Sequence, residues 1–503
     1  MQLIKKYNPQ IVFYLLLYLV IAIFITFSSY VHLPLSTPKD YLYYGLHFLL
    51  LQFIVVSFFY ILSRCKWSFY LIFPPLFLIF SLFAFWTYTM DISPTPAIIQ
   101  ASLESKPDII IDLISIPLII YVFFSLLALF VLLRYYKKHD MHRQDRYFFI
   151  LSFIGISLFF ITEKYRYNTL KSRMPFNLVY GIYEYAFVPN MEIDTIHGKL
   201  TAEMEKDLKI ILVLGESLRA DHLHINGYVR QTTPHLDTMK NLISLPYVYT
   251  PLTYTGISLP QILTDQSVKD TLTTHPLYSI YTVANKIGLQ SVWIGNQTPE
   301  KSYVSFIEEN SRTVLIDSLH NIYSFTKKRD EALLPFFNKY YRQNKYQLLT
   351  LHTIGSHWWY ENRYTPRFRK FTPVIQSKYI PSNTKEEMIN SYDNTVLYFD
   401  DFMYSLINSM PKNDTILLIY LSDHGENLGE NNIWLHAQNG KAAKNPAVLI
   451  WYSDKFAEKY PNEIEKIRHK AGESLSTDFL YPTILDLFKL IDFDYPKKQS
   501  LLN

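Results

Sequence analysis

Five apolar stretches in the first third of the chain, 11–31, 41–62, 68–88, 109–133 and 147–162, constrain its fold more than any other feature. A helix needs about 20 apolar residues to cross the hydrocarbon core of a bilayer. Four of the five meet that length, and the fifth is short but rich in Phe and Ile. Consecutive stretches this long and this poor in charge have no use as buried helices of a soluble protein. The first is not interrupted by a signal-peptide cleavage pattern and is expected to stay as an anchor.

The loops orient the spans. Lys5 and Lys6 precede the first, Arg64 and Lys66 lie between the second and third, and Arg134, Lys137, Lys138, Arg143 and Arg146 flank the turn between the fourth and fifth. The alternate loops hold Lys39 and Lys106. The positive-inside rule then places the N-terminus in the cytoplasm and everything after the fifth crossing on the opposite side. The expected organisation is a five-helix transmembrane domain over 1–165, a connector over 166–207 with helices lying on the membrane surface or exposed to solvent, and a soluble domain over 208–503.

Composition narrows the partners. The net charge is +4 over 503 residues, with no long basic run in the soluble part, which excludes a nucleic-acid binder. The single cysteine, Cys65, allows no intramolecular disulfide and falls on the expected cytoplasmic side. The soluble part alternates strand-like runs at 209–215, 292–295, 346–352, 415–421 and 447–452 with helical patterns such as 385–410, whose apolar residues recur every three or four positions. Such alternation predicts a layered α/β domain with a mainly parallel central sheet.

Ligand sites in such sheets lie at the carboxyl ends of the strands. The run ending at Leu421 delivers Asp423 and His424 there, and the run ending at Gly215 delivers Glu216. Two carboxylates and an imidazole make a donor set for zinc or manganese, with His436 a further imidazole nearby in sequence. Singly, a Glu after a strand is ordinarily a solvated loop residue; the convergence of three donors gives it weight. Ser217, beside Glu216, and Thr255, in a segment where Gly256 permits close backbone approach, both offer a hydroxyl that a bound cation would activate as a nucleophile. Chemistry alone does not choose between them.

The motifs Gly215-Glu-Ser-Leu-Arg219, Asn226-Gly-Tyr-Val-Arg230, Thr232-Thr-Pro234, Thr255 with Ser258 and Pro260, Leu351-His-Thr-Ile-Gly-Ser-His357 with Arg363-Tyr364, Tyr392-Asp-Asn-Thr395, and Ser422-Asp-His-Gly-Glu-Asn-Leu-Gly-Glu430 with Leu435-His436 follow one another in order. Together they resemble bacterial phosphoethanolamine transferases, inner-membrane members of the alkaline phosphatase and sulfatase superfamily, over about 209–490. The resemblance implies an alkaline phosphatase/sulfatase-like α/β domain. It also implies zinc held by Glu216, Thr255, Asp423 and His424, with a second zinc ion conceivable and manganese a candidate. Thr255 is then both ligand and nucleophile, and His357 and His436 contact the transferred group. His352 would stand behind His357 or serve the strand end, and Asn296 and Gln297 resemble a further family segment.

The expected reaction moves phosphoethanolamine from phosphatidylethanolamine to lipid A or core sugars through a phospho-threonine, in a monomer of the inner membrane whose catalytic domain is periplasmic. A phosphoglycerol transferase of the same superfamily, acting on a glucan or other envelope polymer, is the alternative. A simple hydrolase and a non-catalytic envelope scaffold fit less well. Two departures stand out: the disulfides of many relatives are absent, and Trp358-Trp359 follows His357 where relatives carry Gly-Pro. Those Trp faces are expected either to border the substrate pocket or to be buried in the core.

Overall fold

The computed structural model describes residues 8–90, 94, 99, 115–139, 146–187, 192–269, 277–300, 302–317, 328–377, 380–436 and 440–503. Lys5, Lys6, Lys106 and Arg143, which entered the orientation argument, lie outside the described residues, as do positions 109–114 of the fourth apolar stretch. Internal contacts divide the chain into two compact units. The first comprises Met1–Val188 and takes in Gln376–Ser382; the second comprises Pro189–Ser318, Lys327–Ile375 and Asn383–Asn503.

The first unit contains helices α1 (Pro9–Phe24), α2 (Pro38–Leu62), α3 (Lys66–Met90), α4 (Ile116–Lys138), α5 (Arg146–Lys171) and α6 (Phe176–Phe187). Helices α2 to α5 contain four candidate spans that are long and apolar enough to cross a membrane, whereas α1 is shorter. This reverses the expected lengths at two places. The stretch 11–31 leaves α-helix at Phe24 and tightens into a 3-10 turn, Thr26–Tyr30, while the short stretch 147–162 sits inside a longer helix whose backbone departs from helical geometry at Arg166. Side chains such as Leu15, Leu19, Leu46, Leu71, Phe123, Phe130 and Phe153 point outward. That is the surface a hydrocarbon solvent requires, since lipid offers no penalty to exposed apolar groups.

Some buried polar groups inside this unit are paired, as a bilayer favours. Gln52 donates to the Tyr18 carbonyl at 2.6 Å and accepts from Thr26 Oγ1 at 2.5 Å. Asp40, fully buried at the start of α2, accepts from the backbone of Ser36 and Thr37 and from Ser377 Oγ. Helix α6, expected in the connector, buries Phe176 and Leu178 among the apolar side chains of the first unit.

In the second unit seven described strands form one sheet: β1 (Leu208–Gly215), β2 (Leu242–Ser244), β3 (Ser291–Gly295), β4 (Arg312–Leu315), β5 (Leu348–His352), β6 (Thr415–Ser422) and β7 (Val448–Tyr452). Their order is β2-β7-β6-β1-β5-β3-β4, parallel except for β7, which runs antiparallel to both β2 and β6. The five strands expected from the sequence are present; β2 and β4, three and four residues long, are additions. Strands β1 and β6 are buried along their whole length, which is why they read as unbroken apolar runs.

Two helices position the site. Helix α7 (Thr255–Leu263) begins at Thr255 itself. Helix α8 (Lys385–Asn408) is started by a Thr384–Glu387 capping box and buries Met388, Tyr392, Val396, Phe399 and Met403. It also buries a polar stripe. Asn394 accepts from the backbone of Lys370 and Phe371, Asp400 from that of His235 and Leu236, and Asp393 from His222, Tyr228 and Arg230.

Gly155 of α5 meets Ser57 of α2 so closely that a methyl group there would lie 2.1 Å from Ser57 Oγ. Small residues let membrane helices approach in this way. Gly155→Ala is expected to destabilise the first unit by about 1–3 kcal/mol. Thermal unfolding of the full chain in detergent should show the loss, and Ser57→Gly in the same chain should restore it.

Candidate metal and nucleophile site

Register builds the site. Gly215 of β1 pairs with Ser422 of β6, so Glu216 and Asp423 leave adjacent strand ends side by side, with His424 next along the chain. All three side chains are buried, and one donor atom from each lies within 4.8 Å of the others. His424 Nε2 stands 3.3 Å from Glu216 Oε1 and 3.4 Å from Asp423 Oδ2. Neither His424 Nε2 nor Asp423 Oδ2 has a hydrogen-bond partner among the described residues. Buried polar atoms left this way need an explanation, and a cation supplies one. The imidazole is set for that role: its Nδ1 donates to the Gly425 carbonyl at 2.7 Å, which keeps one proton there and turns Nε2 toward the carboxylates as the atom that would ligate.

The electrostatics are those of like charges crowded away from water. Burial, reinforced by the charge of Glu216, pushes the Asp423 carboxyl up to about 7. Burial also works against Glu216, but the neighbouring imidazoles of His424, His357 and His436 together outweigh it and hold this carboxyl well below the usual range. For His424 burial is again opposed, here by the Asp423 charge, and the imidazole is raised to about 10. A divalent ion would relieve this crowding, and the oxygen and nitrogen donors present suit zinc or manganese.

Both candidate hydroxyls reach the same carboxylate. Ser217 Oγ donates to Glu216 Oε1 and Thr255 Oγ1 to Glu216 Oε2, each at 2.7 Å. They differ in access: Ser217 is 0 % exposed and sealed behind Glu216, whereas Thr255 is 8 % exposed. Thr255 also opens α7, where the helix dipole favours developing negative charge.

Two more imidazoles complete the cluster. The His436 ring lies 5.1 Å from that of His424 and 4.9 Å from that of His357. Burial lowers His436, but the Glu426 carboxylate 3.1 Å away raises it overall, whereas His357 is held well below its ordinary value by burial and by the His436 charge. One ring thus tends to carry a proton and the other to lack it. Arg363, buried behind them, donates from Nε to the His357 carbonyl at 2.8 Å and from Nη2 to the Trp358 carbonyl at 3.2 Å. Trp358 and Trp359 are 9 % and 8 % exposed, so burial prevails over an open stacking face. His352 is a strand-end residue, edge-on to Trp293 and Tyr303.

Sequence reasoning named Asn296 and Gln297 without assigning them a role, and did not single out Asp330 or Gly355. Gln297, at the end of β3, donates to Glu216 Oε2 at 3.2 Å and to the Thr353 carbonyl at 2.7 Å. Its neighbour Asn296 holds Asp330, whose carboxylate accepts from the backbone of Ile354 and Gly355 and shapes the turn before His357. Gly355 has φ +51°, and a methyl group there would strike the Glu216 backbone at 2.5 Å. The Asn296-Gln297 pair was the signal for these contacts.

Tyr392 grips the turn that aims both carboxylates. Its hydroxyl donates to the Ser217 carbonyl at 2.7 Å and accepts from Arg219 N at 2.9 Å, bracketing Ser217 at φ +58°. From that left-handed position Ser217 N bonds Asp423 Oδ1 while its hydroxyl bonds Glu216. Groups that orient ligands tune metal affinity by ten- to hundred-fold. Tyr392→Phe should therefore weaken zinc binding by about that factor in a chelator competition on the full chain. Tyr281→Phe, which removes an equally buried hydroxyl bonded to Thr350, should leave it unchanged.

Comparison with known proteins gives the chain a family. Residues 209–490 match the family model described as Sulfatase. Phosphoethanolamine transferase EptA of Escherichia coli (strain K12) is 33% identical over 298 residues, 57% of this chain and 54% of that protein. The chain thus spans about half the length of the curated relatives it matches. The crystal structure of the soluble domain of lipooligosaccharide phosphoethanolamine transferase A from Neisseria meningitidis is similar at 28% identity and a TM-score of 0.54, covering 63% of this chain and 98% of that one. The integral membrane form of that protein shares the fold over 97% of this chain and 98% of its own, at 20% identity and a TM-score of 0.53. The family match covers more than half of the chain and contains Glu216, Thr255, Asp423 and His424; the chain belongs to the sulfatase family.

Proposed function

We propose that this chain transfers phosphoethanolamine from phosphatidylethanolamine to lipid A or core sugars of lipopolysaccharide, with Thr255 as nucleophile. The observation that carries the reading is the Thr255 hydroxyl on Glu216, at the accessible edge of a buried group of two carboxylates and an imidazole. Relatives named as phosphoethanolamine transferases support the group transferred. One named as a Kdo(2)-lipid A phosphoethanolamine transferase supports the acceptor.

Glu216, Thr255, Asp423 and His424 would hold one zinc ion, with His357 and His436 placed to contact the substrate or a second ion. A bound zinc ion lowers the pKa of a coordinated hydroxyl and neutralises charge on a phosphoryl oxygen. The Thr255 hydroxyl gives up its proton to solvent as its oxygen attacks phosphorus, the bond from phosphorus to the diacylglycerol oxygen breaks, and diacylglycerol leaves with a proton. His436, held toward its protonated form by Glu426, is the donor for that proton. A phosphate or hydroxyl oxygen of the acceptor then attacks the phospho-threonine, passing any proton to the neutral His357. The bond from phosphorus to the Thr255 oxygen breaks, and a proton from solvent restores the Thr255 hydroxyl. His357 and His436, with rings 4.9 Å apart, return to their starting protonation by exchange with each other and solvent. Both substrates are lipids, which accounts for a soluble site on a chain with membrane-crossing helices. The loop charges favour a cytoplasmic N-terminus and a periplasmic site.

The direct test is full-length protein in phosphatidylethanolamine vesicles containing lipid A, with the acceptor weighed by mass spectrometry. Wild type should add one ethanolamine phosphate unit; addition of a glycerol phosphate unit instead from phosphatidylglycerol would sink the reading. Thr255→Ala should lower transfer by at least about a thousand-fold and Thr255→Ser should keep measurable activity. Ser217→Ala eliminating transfer while Thr255→Ala spares it would reverse the nucleophile.

Metal affinity should also depend on pH. Asp423 ligates as a carboxylate, and its pKa is raised to about 7. Above that value it is already ionised, and below it a proton must be displaced. His424, raised to about 10, must likewise give up a proton to ligate, so zinc affinity in a chelator competition should rise with pH up to about 10 and change more steeply below about pH 7, where Asp423 is protonated as well. Asp423→Asn should be weak at every pH.

A further inference from the structure

Among the described residues, Lys171 of the first unit pairs with Glu184, whereas Arg173, two positions on, has no carboxylate partner. The Arg173 guanidinium donates from Nη1 to the adjacent Ser172 carbonyl at 3.3 Å and lies against Tyr30, with Cζ 5.3 Å from the ring centroid. Its Nε is buried and makes no hydrogen bond among the described residues. The Tyr30 hydroxyl stands 2.6 Å from His47 Nδ1. Tyr30 is buried, and Arg173 and His47 on either side of it are partly exposed. A cation and an imidazole thus flank one aromatic ring, near the end of the first unit at which α1 and α5 finish and α2 starts.

The backbone holds these groups in place. Arg173 N donates to the Leu170 carbonyl at 3.0 Å, and the Arg173 carbonyl accepts from Asn177 N at 2.9 Å. Met174 N donates to Ser29 Oγ at 2.8 Å, which ties the chain beside Arg173 to the turn that carries Tyr30. Phe48 packs edge-on against the Tyr30 ring, with centroids 5.4 Å apart. A long basic side chain at a membrane surface commonly just extends toward water. Arg173 is instead laid on a ring by a segment fixed at both ends.

We infer that Arg173, Tyr30 and His47 form a seat for the phosphate of a membrane phospholipid. A cation among apolar helices needs a counter-charge, and basic pockets between membrane helices take lipid head groups. The guanidinium offers a planar fork of donors that matches phosphate oxygens, and the Tyr30 ring beneath it fixes its plane by a cation–π contact. A Tyr30 hydroxyl that donates to His47 Nδ1 leaves the imidazole proton on Nε2, a further donor of the polarity an oxyanion requires.

The surroundings select a lipid over a free phosphate. Phe27 and Val31 flank Tyr30 on its turn, Leu46 and Leu50 flank His47 on α2, and all four are exposed. Acyl chains below a seated phosphate cover such side chains, whereas a soluble phosphate gains nothing from them. The donors address the phosphate alone, so the seat accepts a phosphodiester whatever its head-group substituent. The inference stands apart from the transfer reaction proposed above, because it concerns binding to the first unit.

Native mass spectrometry of the full chain in detergent tests it, with phosphatidylglycerol, phosphatidylethanolamine or diacylglycerol of the same acyl chains titrated in. Wild type should bind both phospholipids more tightly than diacylglycerol. Arg173→Gln should weaken both about ten-fold or more while leaving diacylglycerol unchanged, and Arg173→Lys should keep part of the preference. His47→Ala should weaken both several-fold, and Lys171→Gln should leave the preference intact. Equal binding of phospholipid and diacylglycerol by wild type would overturn the seat, as would an equal loss in Lys171→Gln and Arg173→Gln. Should Arg173→Gln fail to fold, an undiminished preference in both Arg173→Lys and His47→Ala would overturn it. Displacement of the phospholipid by an equal concentration of inorganic phosphate would overturn the choice of a lipid.

Discussion

The soluble unit is organised around a repulsion. Glu216 and Asp423 are carboxylates taken out of water and aimed at one place, and burial of like charges is among the costlier arrangements a protein can hold. What makes it tolerable is a dense set of donors. Ser217, Thr255 and Gln297 bond Glu216, and the backbone of Ser217 and His424 bonds Asp423. Among the described residues Asp423 Oδ2 and His424 Nε2 have no hydrogen-bond partner, and these are the atoms a cation would take. Preorganised donors around a charged centre are also what phosphoryl transfer uses, because charge then develops in surroundings that need not rearrange.

Each donor is fixed by something larger. The parallel pairing of β1 and β6 sets the two carboxylates abreast, and α7 brings Thr255 in at its first turn. Helix α8 acts as a strut: its apolar side packs inward, while Tyr392, Asp393, Asn394 and Asp400 bond the loops around the site. A 1 Å error in such a centre is costly, so rigidity is placed where no substrate touches.

The first unit answers to a different solvent. Many of its outward side chains are apolar, buried polar groups such as Gln52 and Asp40 are paired, and its helices approach through small residues such as Gly155 and Ser57. In the second unit apolar side chains gather inward around the sheet instead. One chain thus follows two opposite rules of side-chain placement, which explains why the apolar excess is confined to its first third.

Much of this was legible in the sequence. The five long strands, the helix over Lys385–Asn408 and the adjacency of Asp423 and His424 follow from local patterns, because apolar periodicity and strand ends are local properties. The membrane character follows from length and the absence of charge. Tertiary structure decided the rest. It ended α1 at Phe24, since a helix stops where its neighbours no longer support it, and it recruited β2 and β4, too short to show a period of their own. It also set Gln297 on Glu216 and Tyr392 on the Ser217 turn, across separations of 81 and 175 positions. A side chain's hydrogen-bond partner is chosen by the sheet register and the packing that bring distant segments together. No local pattern encodes that choice, so the sequence determined which groups could ligate, and only the fold determined what holds them.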